Sequence, residues 1–526
     1  MKSMKRRVIS TCAILIAIAT CMLNGSVGSP ATAKSGGNGL SGRVTDLKGQ
    51  ALSGLFVSAR NSVTHRTTYA LTQAQGNFRM PDLEAGDYEV QISERSWQGE
   101  PQQIKVSASA AATVALKVKP DTVDISELTS AELLPLLPEG EGKKVLLENC
   151  MTCHTLQKFV IASWDKDGWG KVVTRMKKAF GASLPEGKEG VLIDYLASTF
   201  AADSTLQNQV KQMRFKSPSP INVTYDSWDI PLQKSLPHTV TQDVKGNSWF
   251  TDPLGSRMGH LDVTTGQFKT WNTPTPNSLP HGIVVDKNGQ VWFTARLQFE
   301  PANKIVNFDP VTEKFTEYPL PHNISGPHTL IFDSQGILWI TEYEGNRLAR
   351  FDPATKQFTE YPVPTKDAKP YGLDVDRQGV VWIAEIGSGS LGKFDPKVGK
   401  VIDYPTPTKN SGVRRVRADS KGRIWFTEFL ADRLGMFDPK TEKMTEYLMP
   451  GVRPQPYAVE VTHDDKIWLS TWHQDSMIRF DPETKIFTTF PVPFLDLEIR
   501  DFRIDSDNTL WFVAMIPNKV VRMKIH

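Results

Sequence analysis

Cysteine is scarce in this chain of 526 residues: there are four. Cys12 and Cys21 lie in the first 33 residues, and the other two, Cys150 and Cys153, stand two residues apart. That pair excludes a disulfide-stapled scaffold and a four-cysteine zinc site. An excess of charge is missing too. Lys+Arg number 61 against 58 Asp+Glu. Lys2, Lys5, Arg6 and Arg7 carry the small surplus within the first 33 residues, so no basic face is implied and nucleic acid is excluded as a partner. Long apolar runs are absent after the start. The run "VISTCAILIAIATCML" follows the basic residues, and "SPATAK" then supplies the small-x-small pattern of Ala31 and Ala33. Residues 1–33 therefore read as a secretory signal cleaved after Ala33. A retained anchor, or a lipoprotein using Cys21, are the competing readings. With the signal removed no transmembrane segment remains, and the protein is expected to be periplasmic or secreted.

Three modules are expected along the rest of the chain: a multidomain, mainly β protein. Residues 40–119 read as seven short alternating strands, from "LSGRVTD" to "ATVALKVK", separated by turns such as "DLKGQ", "AQGN" and "LEAGD". That pattern fits an N-terminal β-sandwich. The stretch "GRVTDLKGQALSGLFVSA…TQAQGNFRMPDLEAGDYEVQIS" resembles the carboxypeptidase regulatory-like domain, which implies a prealbumin-like sandwich used as a spacer or adhesive unit. His65 is expected at its surface.

Residues 138–203 form the second module. "SAELLPLLPEGEGKKVLLENC", "DGWGKVVTRMKKAF" and "EGKEGVLIDYLASTFAAD" place apolar residues at three-to-four spacing, so a small all-α unit is expected. It contains "LLENCMTCHTLQ". In an exported protein Cys150-Met-Thr-Cys153-His154 reads as c-type haem attachment: two thiols reach two vinyl groups, and the histidine presents its imidazole to the iron from the same turn. A redox disulfide and a zinc clip are the alternatives. Met176 is the expected sixth ligand, with Met213 as a poorer candidate and a core methionine as the plain alternative. The order C-x-x-C-H, "W…VVTRM…G", "IDYLASTF" resembles class I cytochrome c domains. That resemblance implies a haem c with His154 and Met176 on the iron and a role in electron transfer.

From 217 to 526 a repeat appears. Trp249, Trp292, Trp339, Trp382, Trp425, Trp468 and Trp511 are 43 residues apart in every interval but one, which is 47. Each repeat carries a form of D-x-x-G-x-x-W-F-T-E, and six continue with a form of F-D-P-x-T-x-x-F-T-E-Y-P. Four short strands fit each period, so a seven-bladed β-propeller is expected, with residues 221–231 closing the last blade. An open array of repeats is the alternative.

Repeat phase points to a channel site. Eleven residues before each tryptophan stand His238, His281, His328, Tyr371, Arg414, Tyr457 and Arg500. Three residues after it stand Asp252, Ala295, Glu342, Glu385, Glu428, Thr471 and Ala514. An antiparallel hairpin brings the two positions to one end of each blade. Imidazole and carboxylate together suit acid–base work or a divalent metal such as Mg, with Glu342 and Glu385 as its candidate ligands. A wet polar channel without chemistry is the alternative. His260, His322, His463, His473 and His526 fall out of phase and are expected to be structural or exposed. The segments "LPHGIVVDKNGQVWFTA" and "GPHTLIFDSQGILWITEYEGNRLARFDP" resemble the virginiamycin B lyase (streptogramin lyase) family. That family opens a cyclic peptide lactone by elimination with a divalent metal, histidines and glutamate. The resemblance implies His281, His328 and Glu342 as catalytic residues.

The leading expectation is an exported monohaem c-type cytochrome coupled to a lyase-like propeller. The propeller would bind a small molecule in its channel, and a redox partner protein or small electron donor would serve the haem. A metal-dependent lyase and a haem-linked oxidoreductase of a small organic molecule are the alternatives. The tryptophan-docking "A-x-D-x-x-x-G-K-x-x-W" repeats of propeller quinoproteins are missing.

Overall fold

The repeated aspartate–tryptophan spacing is the local device from which the blades are built. In the computed structural model, Asp333 Oδ1 accepts from the backbone N–H groups of Gln335 (2.9 Å) and Ile337 (3.0 Å). Its Oδ2 accepts from the Trp339 indole at 2.9 Å. One carboxylate thus closes the turn and pins the buried ring. Asp243, Asp286, Asp376, Asp419 and Asp505 do the same for Trp249, Trp292, Trp382, Trp425 and Trp511. The turn needs positive φ, which glycine supplies at Gly336 (φ 79°). In the last two blades Asp465 (φ 59°) and Asn508 (φ 58°) take that place.

The model describes residues 39–526 except 181, 202, 212, 214–220 and 297–302. The expected signal segment lies outside the described residues. Each blade is a four-stranded antiparallel sheet, as in Pro327–Phe332, Leu338–Glu342, Arg347–Asp352 and Gln357–Pro362. The seventh blade comprises Phe502–Ile504, Leu510–Ala514, Lys519–Ile525 and Val223–Asp229. Val223–Asp229 pairs antiparallel with the C-terminal strand, Lys519 opposite Asp229 and Ile525 opposite Val223, so the ring closes where the sequence placed its closure.

Two expectations about the other modules are corrected. The first concerns the N-terminal sandwich. Its seven expected strands form, with a short eighth at Trp97–Gln98, but it is no loose spacer. One of its sheets continues from Thr67–Leu71 straight onto Val223–Asp229, so the seventh blade and half the sandwich make one eight-stranded sheet. Thr68 Oγ1 donates to Asp226 at 2.6 Å, and Arg522 and Arg66 flank the same carboxylate. Phe56, Tyr69 and Leu71 share a core with Tyr225, Trp468 and Phe502. The sandwich thereby covers the outer edge of the last blade.

The second correction concerns fold class. Strands make up 43% of the chain and helices 12%, and no distinct all-α cytochrome c domain stands apart. Residues 130–210 form six short helices: α1 (Ser130–Leu133), α2 (Glu141–Asn149), α3 (Leu156–Ala162), α4 (Lys166–Phe180), α5 (Glu189–Thr199) and α6 (Thr205–Val210). Pro135, Pro138 and Gly140 break what the sequence period suggested was one helix from 130 to 150. The helices pack around Leu133, Val145, Trp169 and Leu196, yet their loops are tied to the propeller and the sandwich. The Ala131 N–H donates to the His473 carbonyl at 2.9 Å, and Arg453 donates to the Leu147 carbonyl at 2.9 Å. Thr155 donates to Asp496, Lys158 pairs with Glu498 at 2.9 Å, and Arg95 of the sandwich grips Glu132. The helical segment is a cap on blades 6 and 7. No helix among the described residues is long and apolar enough to cross a membrane.

Asp333→Ala removes three hydrogen bonds and leaves a buried indole N–H unpaired. It is expected to lower stability by about 2–3 kcal/mol, read as a shift in the urea-unfolding midpoint.

Candidate functional site

The inner strands carry a bulge. In blade 3, Pro327 pairs with Glu342 and Leu330 with Ile340, so three residues on one strand face two on the other. The same irregularity recurs at Pro280, Pro370, Val413 and Pro456. A bulge re-aims a side chain, and here it turns the residue after each of these positions to the axis. His238 and His281 have ring centroids 3.9 Å apart, His281 and His328 4.0 Å, and His328 and Tyr371 3.8 Å. The Tyr371 and Tyr457 hydroxyls share a short hydrogen bond. Arg414 lies 3.8 Å from the Phe429 ring and 4.2 Å from that of Tyr457, and Arg500 lies 5.1 Å from Trp472. The seven early-phase residues therefore line one mouth. Arg415 crosses beneath, donating to Thr329 Oγ1 at 2.7 Å and to the Arg500 carbonyl at 3.3 Å. Burial, then neighbouring arginines and histidines, holds all three histidines well below the ordinary imidazole range, so they are neutral.

The late-phase residues go elsewhere. Glu342, Glu385 and Glu428 are fully buried, each facing an acid of its own blade's outermost strand: Glu360, Asp403 and Glu446. Burial, then that facing carboxylate, raises all three, with Glu385 and Glu428 pushed up to about 8. Both Glu342 oxygens and both Glu428 oxygens lack a hydrogen-bond partner. Asp252 is held by Arg257 at 2.7 Å. No glutamate of this set figures among the charges acting on the histidines. The sequence reading put Glu342 beside His281 and His328, and the structure does not bring them together. Glu342 pairs across the strands with Pro327, and the bulged His328 turns to the axis instead. Among the described residues no three His, Cys, Asp or Glu side chains gather as a metal site, so Glu342 and Glu385 form no divalent-metal cluster.

A second site lies in the cap. A cavity of about 630 Å³ is lined by Cys150, Cys153, His154 and Met176 together with Phe159, Trp169, Val173, Leu192 and Leu196. α4 presents Trp169, Val172, Val173 and Met176 from one face, as the 3.6-residue period requires. Both His154 and Cys153 donate their backbone N–H to the Cys150 carbonyl, which folds the motif into one turn. Burial, then Cys153, pushes the Cys150 thiol up to about 11. Burial also holds His154 below its ordinary value, leaving a neutral imidazole with a free lone pair. Two thiols, an imidazole and a thioether around one apolar cavity fit a covalently held haem. Met213 packs on the outside of the helical core.

Three participants were not legible in the sequence. His473, out of repeat phase, is buried and donates from Nε2 to the Met151 carbonyl inside the C-x-x-C-H turn at 3.2 Å. Trp472 beside it stacks on Tyr457, ring centroids 5.1 Å apart. Glu498 holds both Lys158 of the cap and Arg500 of the ring. Of the other out-of-phase histidines, His260 lies tilted against Trp249, while His322, His463 and His526 are exposed, His322 pairing with Glu360 and His526 meeting Thr224. His65 is exposed.

The virginiamycin B lyase family model matches residues 207–470, half of the chain. The chain belongs to the virginiamycin B lyase family. The carboxypeptidase regulatory-like domain matches residues 39–119. Virginiamycin B lyase from Staphylococcus aureus superposes with a TM-score of 0.54 at 22% identity, covering 58% of this chain and 100% of that one. A streptogramin B lyase structure gives 0.54 at 24%, covering 58% and 98%. A catalytically inactive variant of the Staphylococcus aureus enzyme, solved with quinupristin, gives 0.54 at 21%, covering 58% and 100%. At these identities the likeness shows the propeller fold. No curated protein matches the chain. Within the family fold, the ring here presents Tyr371, Arg414, Tyr457 and Arg500 beside three histidines.

The raised carboxyls set a pH dependence. Glu385 and Glu428 hold more protons folded than unfolded between the ordinary glutamate value of 4.5 and about 8. Their contribution is therefore full below 4.5 and declines as pH rises to 8. Asp475, pushed up to about 7 by burial, acts in the same sense. The buried histidines act oppositely, but only below their unfolded value of 6.5. Stability is expected to fall by about 1–2 kcal/mol between pH 6.5 and 8. The Glu385→Gln/Glu428→Gln double variant should flatten that slope, as read by urea midpoints at each pH.

Proposed function

We propose that this chain is an exported monohaem c-type cytochrome whose family propeller binds a small molecule. The observation that carries the reading is that Cys150, Cys153, His154 and Met176 all line one apolar cavity. Cys150 and Cys153 would hold the porphyrin by thioethers, and His154 and Met176 would hold the iron. A haem held by four such groups would supply one-electron transfer rather than oxygen activation. Phe159, Val173, Leu192 and Leu196 exclude water from that cavity. A redox partner protein or a small-molecule donor would exchange the electrons. The basic start and apolar run at residues 1–33 support export to the periplasm or beyond.

Family membership supports a ligand-binding or lyase-like propeller. The lyase reading lacks support from the ring itself. General acid–base work needs each group within reach of the substrate proton it moves, and Glu342 and Glu385 face Glu360 and Asp403 inside their own blades.

Material exported from cells competent in cytochrome maturation should give a pyridine haemochrome with one haem per chain. Met176→Ala should lower the midpoint potential and shift the reduced spectrum. Colourless protein with both thiols free sinks the proposal; an unchanged potential in Met176→Ala removes that residue as ligand.

A further inference from the structure

The propeller mouth gathers more cationic groups than its carboxylates answer. Arg415 has Asp501 at 3.9 Å, but Asp501 also serves Arg503 at 2.8 Å. Arg500 has Glu498 at 3.4 Å, and Glu498 is shared with Lys158. Arg414 has no carboxylate within ion-pair distance among the described residues. Its guanidinium is held only by ring faces, those of Phe429, Tyr457 and Tyr371. The Nε atoms of Arg414, Arg415 and Arg500 are buried without a hydrogen-bond partner. So are His328 Nε2, on a residue fully buried, and Trp472 Nε1, on a residue 1% exposed. A cation withdrawn from water without a counter-charge is costly, and a bound anion relieves that cost.

The walls of the mouth limit what kind of anion fits. His238, His281, His328, Tyr371, Tyr457 and Trp472 surround the arginines with flat rings, and the neutral histidines add ring surface rather than charge. Such rings accept a planar partner edge-on or offset. A guanidinium grips a carboxylate or a phosphate through two parallel hydrogen bonds, so the aromatic walls rather than the fork favour an aromatic acid over an inorganic anion. Arg414, Arg500 and His281 are each partly exposed, which leaves a way in.

We propose that the channel mouth binds a small aromatic carboxylate, with Arg414 taking the carboxylate and the histidine–tyrosine ring taking the aromatic face. The proposal rests on the reading of the propeller as the ligand-binding part. It departs from the neutral cyclic-peptide chemistry that family resemblance alone implies.

Isothermal titration calorimetry of the full-length protein with benzoate, benzamide and inorganic phosphate tests it. Benzoate should bind at least about tenfold more tightly than either of the others. Arg414→Met should weaken benzoate by about ten- to a hundredfold, while Arg414→Lys keeps part of the affinity. Should Arg414→Met fail to fold, Arg500→Met with a native circular-dichroism spectrum carries the same expectation at smaller size. Benzamide or phosphate binding as tightly as benzoate overturns the proposal. So does a lack of benzoate binding, or unchanged affinity in the folded arginine variants. Haem content measured on the same sample separates the two readings. Colourless protein that binds benzoate sinks the cytochrome and leaves this site standing, and haem-loaded protein that ignores benzoate does the reverse.

Discussion

In five of the seven blades a single hydroxyl holds the propeller's inner ring in place. Two residues after the repeat tryptophan, Thr251, Thr294, Thr341 and Thr427 donate to the carbonyls of His281, His328, Tyr371 and Tyr457 in the next blade, at 2.7 to 3.1 Å. Ser470 does the same to Ile499 at 3.0 Å. The residue whose carbonyl is taken in this way is, in blades 2, 3, 4 and 6, the one whose side chain faces the axis. Fixing that carbonyl fixes the bulged backbone, and so the aim of the side chain. His281, His328, Tyr371 and Tyr457 depend directly on this stitch. Where the hydroxyl is missing, at Ala384 and Val513, the adjoining blades carry Arg414 and His238. Those two are held instead by ring-face contacts and by the Thr239 hydroxyl.

The same repeat makes a second, hidden ring. The glutamate of F-T-E-Y-P, on the outermost strand, faces inward as Glu317, Glu360 and Glu446, with Asp403 in blade 4. Glu317 meets Lys304 at 2.8 Å, because Ala295 stands where other blades have an acid. In blades 3, 4 and 5 it meets Glu342, Glu385 and Glu428 instead. Two carboxyls buried together disfavour double ionisation, so burial and the facing acid raise Glu342, Glu385 and Glu428. These glutamates look catalytic by type and phase, yet they belong to blade packing.

That contrast marks what could be read from the sequence. Periodic features were legible: the strand pattern, the Trp register, closure by residues 221–231, and the ring of early-phase residues all follow from repetition. The face of each late-phase residue was not, because one bulged residue reverses the alternation and leaves no mark in composition. A signal for it existed in the proline before five of the seven ring residues, which lacks an N–H and favours an irregular ladder. Contacts between modules were illegible for a different reason. Asp226 reads as an ordinary strand residue. Only the fold brings Thr68, Arg66 and Arg522 around it, from up to 296 residues away. The spacing that identified Cys150, Cys153 and His154 needed no tertiary information, since the turn itself delivers the three groups.

His473 was set aside for being out of phase, and its position explains why it should be. Repeat phase selects residues that serve the seven-fold ring; a residue that serves the cap must break it. His473 leaves the ring's end to bond the Met151 carbonyl, while Trp472, its sequence neighbour, stays behind and stacks on Tyr457. Two adjacent residues thus touch both sites. A side-chain shift in the mouth reaches the backbone of the C-x-x-C-H turn through one peptide unit, with Glu498 providing a parallel link from Arg500 to Lys158. Contacts this short pass strain because packed interiors yield little. A cap on a flexible linker would have no such route. The ties that deny the helices independence as a domain are therefore the ones that fix them on blades 6 and 7.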